Sequence, residues 1–189
     1  MRRLIVTVAF MMTLAGCQSL PPVNFAVPNV GFSENKVDAE LRSITVSLAS
    51  PEEKKGDLPA GAEVAAPMWR AALQEALNRM AIFQDDADTK VNLSVKVLAL
   101  DMPSFGASMT TTSIARYEII DRSNGDIIYT EEIAADGVVP FDHAFIGAVR
   151  ARESLNRSVQ QNIAQFLQAL ETVDVAKPMF PAEAPNASD

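Results

Sequence analysis

Val91-Asn92-Leu93-Ser94-Val95-Lys96-Val97-Leu98-Ala99-Leu100-Asp101 is the stretch on which the fold turns. Val91, Leu93, Val95 and Val97 fall at every second position, with Asn92, Ser94 and Lys96 between them. A period of two puts alternate side chains on opposite faces, so this is a strand with one buried face. Towards its end Leu98 and Leu100 make the opposite face apolar as well. An apolar face must be covered by another layer, and the flanking sequence supplies it.

On the N-terminal side, Pro67 suits the first turn of a helix. Trp69, Leu73, Ala76, Leu77 and Met80 then repeat at helical spacing, giving an amphipathic helix to about Ile82. Before it, Ser50 to Ala66 is rich in charge, Pro and Gly and reads as a loop, and Leu41 to Ala49 alternates as a half-buried strand. On the C-terminal side, Met102 to Met109 carries Pro103 and Gly106 and marks a wide turn. Thr110 to Asp121 and Asp126 to Asp136 are two more β-rich runs, joined by Ser123-Asn124-Gly125, whose Asn-Gly suits a tight hairpin. After an irregular connection, Gly137 to Gly147, a second helix runs from about Ala148, with Leu155, Val159, Ile163, Phe166 and Leu170 on its apolar stripe. Arg150, Arg152, Arg157, Gln161 and Gln168 lie off that stripe. The order βαβββα over residues 41–173 predicts an α+β two-layer sandwich: a four-stranded sheet with two helices on one face. Its strand order is left open. Pro178, Pro181 and Pro185 make 174–189 an expected disordered tail.

The domain is preceded by a segment of different character. Arg2-Arg3 are followed by eleven uncharged residues, Leu4 to Leu14, and then by Leu14-Ala15-Gly16-Cys17. The apolar run is too short for a spanning helix, which takes about 20 residues, but suits a signal peptide over residues 1–16. An aliphatic residue, two small residues and a cysteine form a lipobox: small residues let the extended chain enter a peptidase, and the thiol forms a thioether to diacylglycerol. The alternative is an ordinary secretory signal, or a short membrane anchor, with an incidental cysteine. Cys17 is the sole cysteine, so no internal disulfide is available. Residues 17–40, with Pro21, Pro22, Pro28 and Gly31 and no steady period, read as a flexible tether. Docking of Phe25, Val27, Val30 and Phe32 on the domain is the alternative.

Charge narrows the partners. The chain carries 16 basic and 24 acidic residues, a net charge of -8, and loss of Arg2 and Arg3 with the leader takes it to -10. Such a surface repels nucleic-acid phosphates and anionic headgroups, so no nucleic acid is expected and membrane attachment falls to lipid. No catalytic residue, metal or cofactor is assigned. His143, the single histidine, stands beside Asp142 in a loop, and no nucleophile elbow accompanies it. Asp85, Asp86 and Asp88 lack the pattern of a calcium loop and read as a solvated turn. Two features suggest contact with a partner: the apolar set Leu98, Leu100, Met102, Phe105 and Met109, and a polar run, Thr110 to Ser113, offered as an exposed sheet edge.

With the lipobox, the helix holding Trp69-Arg70-Ala71-Ala72-Leu73 and the Ser154-to-Leu170 helix in view, the chain resembles small Gram-negative outer-membrane lipoproteins. These include auxiliary lipoproteins of ABC-type transport systems and lipopolysaccharide-assembly lipoproteins. The resemblance implies a two-layer domain and a Cys17 carrying diacylglycerol and palmitate-like acyl chains. It implies that Gln18, in place of Asp, sorts the protein to the outer membrane, facing the periplasm. The work it implies is non-enzymatic: an accessory, scaffold or assembly factor for a membrane complex. A periplasmic lipid- or glycan-binding module is the alternative.

Overall fold

The computed structural model describes residues 20–181. The signal peptide, Cys17, Gln18 and residues 182–189 lie outside the described residues. The order of elements is β1 (Glu40–Leu48), α1 (Ala65–Met80), β2 (Lys90–Asp101), β3 (Met109–Asp121), β4 (Ile127–Val139) and α2 (Gly147–Leu170), with short 3-10 turns at Ala62–Val64 and Phe141–His143. The strands lie in the order β1-β2-β3-β4. β1 runs parallel to β2 and the other neighbours are antiparallel. Parallel pairing needs a crossover and antiparallel pairing only a turn, and α1 is that crossover. This is the expected α+β sandwich, both helices lying on one face of a mixed sheet.

β3 reads most simply. Thr111, Ser113, Ala115, Tyr117 and Ile119 are buried on the helix side, while Thr112, Ile114, Arg116 and Glu118 alternate on the other. α2 covers β3 and β4, and α1 covers β1. Between helices and sheet the space is filled by Trp69, Leu73, Leu93, Tyr117, Ile163 and Phe166, all with essentially no exposure. Tyr117 and Phe166 stack at 4.1 Å and 11°, a geometry worth about 1 kcal/mol beyond burial.

β2 departs from its expected alternation. The register of β2 on β3 shifts between Val97 and Ala99. Val97 lies opposite Ala115, whereas Leu100 lies opposite Ser113, so both face the helices. The inserted residue reverses the phase of the strand. Leu98 and Leu100 are therefore not a second apolar face; Leu100 belongs to the main core and Leu98 is wholly buried.

α2 meets the sheet through polar groups. Ser154, Ser158 and Asn162, each a turn apart, are fully buried against it. Thr111 and Ser154 share a hydroxyl–hydroxyl bond of 2.7 Å. The Ser158 hydroxyl donates to Ala135 O at 3.0 Å, and Asn162 Nδ2 donates to Ile133 O at 2.8 Å. Trp69 Nε1 donates to the Tyr117 hydroxyl at 3.2 Å, which donates in turn to Asn162 Oδ1 at 2.8 Å. Burial pushes the Tyr117 phenol far above its ordinary pKa, so it stays a neutral donor. The helix comes this close because β4 has glycine at 137. A Cβ there would stand 2.0 Å from Ser154 O and 2.4 Å from Ser158 N.

The stretch read as a flexible tether lies on the domain from Pro22 onward. α1 and α2 touch each other little, and two helices on a four-stranded sheet leave an apolar cleft between them. Phe25 fills it, 2% exposed and edge-on to Trp69 at 6.2 Å. Asn156 of α2 accepts Asn24 N–H and donates to Pro22 O, and Gln160 donates to Asn24 O. Ser33 N–H and Val37 N–H bond to Met80 O and Ile82 O. At the other end, the chain expected as a disordered tail from residue 174 is held as far as Phe180. Phe180 and Ile127 exchange backbone bonds of 2.9 and 3.0 Å, which covers the start of the β4 edge.

Candidate functional site

The polar run Thr110 to Ser113, expected as an exposed edge, lies within β3, an interior strand paired on both sides, with Thr111 and Ser113 buried. It has no free edge to offer a partner. The open face of the sheet is polar, half-buried and laced with ion pairs. Arg116 bonds Glu132 at 2.5 Å and Lys96 bonds Glu53 at 2.5 Å, with Lys55 also on Glu132. The Lys96 ammonium, with the Ser50 amide and hydroxyl, holds the Glu53 carboxyl down at about 2. Lys55 and Arg116 likewise keep Glu132 below the usual carboxylate range. The loop that carries Glu53 and Lys55 covers the end of β2: Lys55 N–H bonds Leu98 O, and Leu100 N–H bonds Asp57 O. Gly56 lies so close that a Cβ would meet Ala99 Cβ at 2.8 Å.

The five residues expected as a partner contact are thus not brought together. Leu98, Leu100 and Met109 are buried, and Met102 is half-buried against the core. Only Phe105 is open to solvent, at 88%. It stands among others that the sequence reading did not single out. Phe145 is 89% exposed, Phe141 56% and Ile146 40%, all in the connection between β4 and α2.

Arg150 ties the two loops together. It sits in the first turns of α2 and is 4% exposed. Nη1 donates to Ala144 O at 2.6 Å and to Phe145 O at 3.1 Å, while Nη2 donates to Gly106 O at 3.1 Å. The guanidinium also lies 5.0 Å from the Phe141 ring centroid, and Nε has no partner among the described residues. A cation near a helix N-terminus opposes the helix dipole. Carbonyl dipoles and the Phe141 ring compensate it, and in doing so fix both loops to one point. Arg150 lies off the apolar stripe, as expected from its spacing, and is nevertheless buried by this staple. The result is an aromatic apex at one end of the sandwich. Its signal in the sequence is the placing of three of the nine phenylalanines in two loops holding only one carboxylate, Asp142.

Asp142 and His143 are exposed in the 3-10 turn of this apex. Asp85, Asp86 and Asp88 follow α1 in a turn where Asp86 has φ 60°. Among the described residues no three His, Cys, Asp or Glu side chains gather to hold a metal. No helix among them is long and apolar enough to cross a membrane. Open grooves line the surface; one, of about 320 Å³, lies between Val27–Phe32 and the Ala164–Glu171 end of α2.

A four-stranded mixed sheet with two helices on one face and an N-terminal segment laid between them defines the class: a small α+β sandwich. Among solved structures, the protein XCC0632 from Xanthomonas campestris, described by the family model DUF330, has this fold. It aligns with a TM-score of 0.53 over 79% of this chain and 91% of its own, at 11% identity. A PelC dodecamer subunit from Paraburkholderia phytofirmans aligns with a TM-score of 0.45 and 14% identity over 74% of this chain and 92% of that one. For a minor lipoprotein from Acinetobacter baumannii the TM-score is 0.33 and the identity 15%, over 76% and 96% of the two chains. No protein-family model matches the chain, and no curated protein matches it.

Proposed function

We propose that the chain is a lipid-anchored lipoprotein of the bacterial cell envelope, serving as a non-enzymatic accessory or scaffold of a membrane complex. The observation that carries this is Leu14-Ala15-Gly16-Cys17 behind Arg2-Arg3 and an eleven-residue apolar run. Two or more acyl chains on Cys17 hold a protein firmly where one binds reversibly. Gln18 at the sorting position favours the outer membrane, with the domain in the periplasm. The partner is a protein of the envelope rather than a nucleic acid, given the net charge of -8.

The packed interior favours this reading over a lipid or glycan carrier. A carrier of this architecture would open a pocket between sheet and helices, where Trp69, Tyr117 and Phe166 stand fully buried. What is open to a ligand lies on the surface, as in the groove between Val27–Phe32 and α2. The non-enzymatic reading rests on the exposed position of Asp142 and His143 in a turn. Globomycin, which blocks the lipoprotein signal peptidase, tests the anchor. Accumulation of the uncut precursor is expected, and processing that continues unchanged would refute it. Crosslinking in intact cells is expected to capture a component of a membrane complex.

A further inference from the structure

We propose that the aromatic apex, Phe105, Phe141, Phe145 and Ile146, rests in the surface of the same lipid bilayer that holds the N-terminus. The domain would then lie against the membrane and not hang from it. This rests on the lipid anchor proposed above and extends it to the folded domain.

The path of the N-terminal segment carries the inference. Gly31 and Phe32 lie beside Gln168 and Glu171 at the C-terminal end of α2. Val27 and Pro28 lie beside Gln160 and Ala164, and Asn24 and Pro22 are bonded to Gln160 and Asn156. Read backwards from Phe32, the chain therefore runs antiparallel to α2 and leaves it heading for the helix N-terminus. That terminus, Gly147, follows directly on Phe145 and Ile146. From Asn156 to Gly147 is about 14 Å at 1.5 Å per residue. The five residues from Pro22 to Cys17 reach at most about 18 Å. The distance of about 14 Å from Asn156 to Gly147 is within that reach, so the length of chain before Pro22 allows the lipid on Cys17 and the exposed rings to meet one membrane surface.

The chemistry of the apex fits a lipid surface. The loop Met102 to Ser108 has no charged residue, and Pro140 to Gly147 has only Asp142 as an acid, in a chain of net charge -8. Exposed Phe and Ile side chains gain by burial at the boundary of headgroups and acyl chains, as on the apolar face of an interfacial helix. Arg150 binds carbonyls from both loops and keeps them in one arrangement. A rigid apex is ordered before it meets the membrane, so little conformational entropy is lost on contact.

Trp69 is the only tryptophan and has no exposure, so its emission is a background common to parent and variants, and the difference from the parent reports the added indole. The acylated full-length protein is reconstituted on phosphatidylcholine vesicles with and without bromine on the acyl chains. Two variants are compared, Phe145→Trp at the apex and Phe32→Trp at the opposite end, where Phe32 is 70% exposed. The expected result is a blue shift and loss of the added emission on brominated vesicles for Phe145→Trp, with no change for Phe32→Trp. Protein that floats with the vesicles while both indoles stay unquenched, or are quenched alike, would overturn the apex contact and leave the anchor standing. Protein that fails to float at all would overturn both.

Discussion

Replacing Gly137 by alanine adds one methyl group and should cost the domain a large part of its stability. The methyl carbon would lie 2.0 Å from Ser154 O and 2.4 Å from Ser158 N, whereas ordinary contact begins at 3.4 Å. Both obstacles are backbone atoms in the middle of α2, so no side chain can rotate away. The helix must lift from β4 by more than an ångström, and the bonds that seat it lengthen together. These are the Thr111–Ser154 hydroxyl pair at 2.7 Å and the Ser158 bond to Ala135 O at 3.0 Å. Overpacking a core costs about 1–3 kcal/mol, and each buried polar group left without its partner about 1–3 more. A loss of about 3–5 kcal/mol follows, against a total of about 5–15 kcal/mol for a domain. Urea unfolding of the full chain measures it. Gly31→Ala is the control, since a Cβ there meets nothing within 4 Å; it should stay within about 0.5 kcal/mol of the parent. A Gly137→Ala protein within about 1 kcal/mol of the parent would refute the close seating of α2 on β4.

Phe25→Ala should destabilise by about 3–5 kcal/mol, the usual range for a buried aromatic, and expose the chain near Pro22 to limited proteolysis; cleavage unchanged from the parent would mean that the segment is not held by that ring. Asn162→Leu keeps the volume but leaves the Tyr117 hydroxyl, Ser113 O and Ile133 O without their bonds. It should cost about 2–4 kcal/mol by urea titration, more than the same change at the exposed Gln161. Acid should unfold the protein through carboxylates whose folded-state pKa lies below the unfolded value. Glu40 is lowered by Lys90 and Arg42, Glu132 by Lys55 and Arg116, and Glu53 to about 2 by Lys96. Their contribution is complete above the ordinary 4.5 and is lost as pH falls from there towards about 2. Thermal melts across that range should fall in step, and a melting temperature that stays flat would contradict the assignment.

The sandwich was legible because its covered faces repeat. Val91 to Val97 has a period of two and Leu155 to Leu170 a helical one, and each period is set by a single buried side. Where burial arises from something other than period, the sequence was silent. The bulge at Val97/Ala99 leaves no composition signal, so Leu98 and Leu100 looked like a second face. Ser154, Ser158 and Asn162 were passed over because polar side chains on a helix ordinarily face water. Their partners are Thr111, Ser113 and the carbonyls of β3 and β4, which only the tertiary contact brings near. The glycine opposite them, Gly137, is the one local hint. Phe25 and Phe180 fill their places as single residues without any repeat, so the first segment reads as a tether, with docking of Phe25 as the alternative that holds, and the second as a tail. Nothing in the sequence marks Arg150 as buried, since the carbonyls that receive it come from two separate loops. The apex it builds was half visible through Phe105. Phe141 and Phe145 lie some forty residues further on, and nothing in the intervening sequence joins them.

The lipid proposed on Cys17 is read by intact mass and N-terminal peptide mass spectrometry of protein extracted from membranes. The expected chain begins at Cys17 and is heavier than its amino acids by a diacylglyceryl group and a further acyl chain. A free Cys17 thiol, or a mature chain that begins elsewhere, would contradict it.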